Sequence, residues 1–169
     1  ETKKQELKTK LTKIKDERKK QVVEKIDGQL DELNKRRVDH FSQVLEQIEK
    51  VLDKISSRTA KTEANGRDVS SVKTAITEAG NAIVASRAAI QVQASKTYTI
   101  TITTENALRQ DVGKARQALH ADLVKVGDSV NAAREAVQEK AKEAREGLKE
   151  KAGVVKDAAK EKIEGAKIK

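Results

Sequence analysis

The chain has 169 residues, no Pro, Cys, Met or Trp, and only two aromatic side chains, Phe41 and Tyr98. Without cysteine there is neither a disulfide nor a thiolate metal site, and without aromatic bulk a wide globular core is excluded. Lys and Arg outnumber Asp and Glu by 36 to 27, and the excess sits at the ends: residues 1–28 hold ten basic and six acidic residues, as do residues 140–169.

Residues 2–62 are expected to form one helix. Leu11, Val22, Leu33, Val44 and Ile55 recur every eleven residues, as do Leu30, Phe41 and Leu52. Eleven residues over three turns is about 3.67 per turn, so the seam runs nearly straight. Phe41, Val44, Ile48, Val51 and Ile55 also fit a heptad. Asn65-Gly66 is a turn signal, and Asp68 caps a second helix over 68–95. Its face is Val69, Val72, Ile76, Ala79, Ile83, Ser86 and Ile90, beside small residues that admit a close neighbour.

Residues 97–103 alternate Thr with Tyr98, Ile100 and Ile102, a pattern of period two made of good β-formers. With no second such segment in the chain, the reading is an extended connector whose three large side chains cap the bundle. The alternative is an edge strand, Tyr98, Ile100 and Ile102, that pairs with another copy or another protein. Thr104 and Glu105 open a third helix over 104–166, where Leu108, Leu119, Val130, Ala141, Ala152 and Ile163 are eleven apart. Ala115, Val126, Val137, Leu148 and Ala159 form a second such row, and Ala133, Ala144, Val155 and Ala166 a third.

The segment Ala133–Ala166, with its run Glu139-Lys140-Ala141-Lys142-Glu143-Ala144, resembles the eleven-residue repeats of late-embryogenesis-abundant proteins. That resemblance implies disorder in solution and helix formation on drying or at membranes. Lys13–Ile55 followed by Lys96–Thr103 resembles uncharacterised secreted long-helix coiled-coil proteins of small-genome bacteria, a grouping that implies no activity.

The expected fold is all-α: an elongated antiparallel three-helix bundle or coiled coil, a single domain, with helices of roughly 90, 40 and 95 Å. Unequal lengths leave two helical overhangs. The N-terminal one exposes a seam of Leu7, Leu11, Ile14, Val22 and Ile26, and the C-terminal one a seam of Ala144, Leu148, Val155 and Ile163. Opposite overhangs that join head to tail do not close, so the expectation is a homo-oligomer or filament, opposed by the positive charge at both ends.

No phosphate loop, nucleophile elbow or metal signature occurs, and His40 and His120 lack ligand-spaced neighbours. The expectation is therefore a non-enzymatic structural protein with no cofactor and no small-molecule substrate. The alternative is a binding module whose basic ends engage a membrane surface, cell-wall polymer or nucleic acid through weak polyanion contacts. No run approaches the ~20 apolar residues that span a bilayer. Beginning at Glu1 rather than Met, the chain reads as a processed product, and an extracellular, periplasmic or cell-surface location is expected.

Overall fold

The expected first helix is two helices, α1 (Thr2–Leu11) and α2 (Glu17–Ala64). This is seen in a computed structural model that describes the backbone of residues 2–12 and 14–166 and the side chains of residues 4–12 and 14–142. The break has a local cause. Lys8 and Lys10 occupy the last turn of α1, where the helix dipole favours cations. Beyond it the Thr12 hydroxyl turns back to the carbonyl of Thr9 at 2.6 Å. Asp16 then caps α2, its Oδ1 accepting the amides of Arg18 at 2.9 Å and Lys19 at 3.2 Å, with Glu17 supplying an acid in the first turn.

At the far end of α2, Gly66 adopts φ 76° and donates to the carbonyl of Glu63 at 2.8 Å, while Arg67 donates to that of Thr62 at 3.3 Å. This is a Schellman closure, and the positive φ is what calls for glycine there. Asp68 accepts the amide of Ser70 at 3.0 Å and its hydroxyl at 2.7 Å, at the start of α3 (Ser70–Ala94). After the connector, Thr104 caps a short 3-10 turn, Glu105–Ala107, that leads into α4 (Leu108–Ala166). The molecule is all-α: four helices pack against one another, with no strand among the described residues.

Of the apolar face expected on α3, Val69, just before the helix, Ala79, Ile83, Ser86 and Ile90 are buried, while Val72 and Ile76 are half-buried. On α4, Leu108, Leu119, Val126, Val130, Ala133 and Val137 are buried along the expected rows. The α2 seam needs a correction. Val22 is 54% exposed and Leu33 38%, whereas Val23, Asp27, Leu30, Asn34, Val38, Leu45, Ile48, Leu52 and Thr59 face inward. Polar residues hold three of these seam positions, so a search for apolar spacing settles on the neighbouring row. From Val38 onward Val38, Leu45, Leu52 and Thr59 step by seven, with Ile48 buried between them.

The chain divides into two compact units, and α2, α3 and α4 contribute to both. The first comprises Glu1–Glu46 and Val84–Asn131, the second Gln47–Ile83 and Ala132–Lys169. In the first, the ring of Phe41 lies against Gly127, with 3.5 Å to where a Cβ would sit. In the second, Lys140 pairs with Glu78 at 3.7 Å.

Candidate functional site: an extended connector beside an open groove

Within the first unit, residues 97–103 run extended and bury Tyr98, Ile100 and Ile102 in the core that also holds Leu7, Leu11, Ile14, Val23, Leu30 and Leu119. A single extended segment must find partners for its amides, because unpaired buried ones are costly. Carboxylates of α2 supply them. Two extended residues advance ~6.6 Å and four helical residues about 6 Å, so groups four apart on a helix match amides two apart on a strand. Asp31 accepts the amide of Tyr98 at 3.4 Å and Asp27 that of Ile100 at 3.0 Å. The helix acts as the neighbouring strand.

Asp27 is 3% exposed, and Lys4 of α1 reaches it at 2.9 Å while also pairing with Asp31. Partial burial works against the lysine's charge, but its hydrogen bonds to Asp31 and Asp27 outweigh this and hold it above the ordinary lysine range. One turn further along, the Asn34 amide donates to the carbonyls of Gln93 and Lys96, both at 3.2 Å, closing the C-terminus of α3. The Gln93 amide donates to Asn34 Oδ1 and to the Tyr98 hydroxyl, each at 2.8 Å, and that hydroxyl donates to Asp122 at 2.7 Å. Burial and the adjacent Asp122 carboxylate push the Tyr98 phenol up to about 12. Asp122 is held low by Lys96 at 2.9 Å and then by Tyr98. Asp111 is held low by the amide and hydroxyl of Thr103, both at 2.8 Å.

The Asp27 and Asp31 bonds occupy one edge of the connector, and Asp111 takes the other edge at Thr103. The residues between alternate to the other edge, and among the described residues the amides of Thr97, Thr99 and Thr101 make no hydrogen bond. The Thr99 hydroxyl is buried and also unpartnered. Beside this edge lies an open groove of about 640 Å³, walled by Lys4, Glu6, Leu7 and Lys10 of α1 and by Ala115, Ala118 and Asp122 of α4. A second space of about 580 Å³ shares Lys4 and Thr97 with it and adds Lys8.

Several expectations change. Leu7, Leu11 and Ile14 are 5%, 1% and 4% exposed, covered by the chain's own connector and helices, so they are not an uncovered N-terminal seam. Val22 is exposed and Ile26 half-buried against the same core. Tyr98, Ile100 and Ile102 have the role expected of a connector. The side chains of Ala144, Leu148, Val155 and Ile163 lie outside the described residues.

Asp27, Asp31, Asn34, Gln93, Asp111 and Asp122, which hold the connector, did not stand out in the sequence. Their one signal is position: Asp27 and Asn34 interrupt the stripe through Val23, Leu30 and Val38 at seam spacing. His40 and His120 are exposed, and no group of three metal-ligating side chains occurs among the described residues. No helix among them is long and apolar enough to cross a membrane. No family model, curated protein or solved structure matches the chain.

Proposed function

We propose that the chain is a non-enzymatic structural protein that self-associates through the C-terminal part of α4. The supporting observation is one of length in the second unit. There α4 supplies residues 132–166, against 47–64 from α2 and 70–83 from α3. At the helical rise these are about 52, 27 and 21 Å. Counting antiparallel from the Lys140–Glu78 pair, α3 ends its accompaniment at Ser70 near residue 148 of α4. The apolar rows continue past that point through Val155, Ala159 and Ile163.

An identical seam on each copy pairs about a two-fold axis and closes, so a small oligomer is favoured over an open filament. The basic charge of residues 140–169 opposes pairing and is screened by salt. Light scattering at micromolar concentration should therefore show a multiple of the chain mass, stronger at higher salt. A monomer under all conditions removes this reading. An extracytoplasmic location belongs to the same proposal and is tested by fractionation of cells producing the tagged chain.

A second reading, a module that binds an anionic partner, is favoured by the basic α1 folded beside the open groove. Residues 3–15 hold six lysines and one acid, Glu6. Neither reading calls for catalysis. The carboxylates shifted down (Glu105, Asp111, Asp122) are each engaged in holding a lysine or a backbone amide.

A further inference from the structure

We propose that the groove beside residues 97–101 takes an extended acidic peptide from another protein, which adds to the free edge of the connector as a second strand. Extended backbone presents donors and acceptors on both edges, at alternate residues. One edge is used, through Asp27 and Asp31. On the other, Asp111 takes the amide of Thr103, but those of Thr97, Thr99 and Thr101 have no partner among the described residues, and these three residues line the groove. An edge of this kind recognises another extended chain by main-chain hydrogen bonds, with charge and side-chain fit selecting the partner.

A second observation points the same way. The Thr99 hydroxyl is buried without a partner, on a residue that lines the groove. On the α4 wall, Ala115 and Ala118 are small and leave room for a second backbone beside Asp122.

Charge decides what kind of chain fits. Lys4 and Lys96 are neutralised by their own aspartates, but Lys8 and Lys10 make no ion pair among the described residues. Lys10 lines the groove beside Glu6, and Lys8 lines the adjoining second space, so with Lys4 and Lys96 lysine outnumbers acid across the two. A second copy is the poorer occupant. Its own extended segment, 97–103, carries no charge and is held against the core by Asp27, Asp31 and Asp111. The inference sharpens the second reading and is independent of self-association, which concerns the other end of α4.

The test uses the full chain and a fluorescein-labelled ten-residue peptide of alternating Val and Glu, followed by anisotropy. Saturable binding at micromolar to submillimolar concentration is expected, weakening as salt rises. A peptide of the same sequence with N-methyl groups on alternate amides keeps the charge but cannot pair along an edge. It should bind at least about tenfold more weakly, a difference worth about one decade in Kd.

Thr99→Pro removes a donor that nothing in the folded chain uses and should weaken the parent peptide by a similar factor. Ala118→Phe, which fills the groove from α4, is checked alongside it by helical circular dichroism. Equal binding of the methylated and parent peptides overturns the proposal, and that comparison stands even where a variant misfolds. So does the absence of binding at millimolar peptide, or displacement of the peptide by polyphosphate or anionic vesicles at equal charge concentration. The outcome of light scattering on the free chain bears on none of these.

Discussion

At the scale of single residues, the first unit is held by polar groups placed where an apolar seam would ordinarily run. Asn34 shows how much depends on this. It is 5% exposed, closes two carbonyls at the end of α3, and orients Gln93, which in turn meets Tyr98. Asn34→Leu improves the apolar pattern of α2, yet it strands those groups in the core. We expect it to cost about 2–4 kcal/mol in urea unfolding, since each buried polar group left unpaired costs about 1–3.

Tyr98 allows a direct titration, because it is the only Tyr and there is no Trp. Its phenol is raised to about 12 in the folded chain, against ~10 unfolded. A raised folded value means the contribution is fully present below pH ~10 and is lost as pH climbs towards 12. Tyrosinate absorbance should rise with a midpoint near 12 in the folded chain. The difference in stability between wild type and Tyr98→Phe should narrow over the same window. Asp111 and Asp122 run the other way. Their folded values are lowered, so their contribution is present above the ordinary carboxylate range and disappears as pH falls through the lowered values.

At the scale of elements, the contrast between Leu11 and Val22 carries the argument. Eleven-residue spacing puts them on one row of one helix, but the chain turns between them, burying Leu11 and leaving Val22 54% exposed. Leu11→Ala should cost about 2–4 kcal/mol as a core truncation, and Val22→Ala no more than about 0.5. Equal effects would return α1 and α2 to a single helix.

The same pair shows what the sequence discloses and where it stops. α3 and α4 were legible because their seams are apolar almost throughout and their starts are marked by Asp68 and Thr104. The connector was legible because its alternation is strict. The break after α1 was not, because it has no Pro or Gly and its mark, Asp16 followed by Glu17, is ordinary within so charged a segment. The groove was least legible of all. It depends on Asp27 and Asp31 meeting Ile100 and Tyr98 across about seventy residues of chain, and no local spacing encodes that meeting.

At the scale of the whole molecule, the proposed association leaves out the N-terminal end. The N-terminal row is spent internally: Leu7, Leu11 and Ile14 are in the core of the first unit, and Lys4 fixes α1 to Asp27 and Asp31. A filament built by joining both ends would have to pull α1 out of that core and forgo the burial of three large aliphatic side chains, about 1.5–3 kcal/mol each. In the second unit α4 is longer than the α2 and α3 segments beside it, which is the ground for proposing association through its late positions.

Association should therefore depend on the late positions of α4 alone. Val155→Glu with Ile163→Glu places acids at two of those late positions and should convert the proposed oligomer to a monomer in light scattering. The unfolding of the first unit, followed through Tyr98 fluorescence, should be unchanged. Leu11→Ala should do the opposite, loosening the first unit while leaving the oligomer intact at permissive temperature. If instead Leu11→Ala dissociates the oligomer while Val155→Glu with Ile163→Glu preserves it, the assembly surface lies in the first unit. The closed pairing through α4 is then wrong.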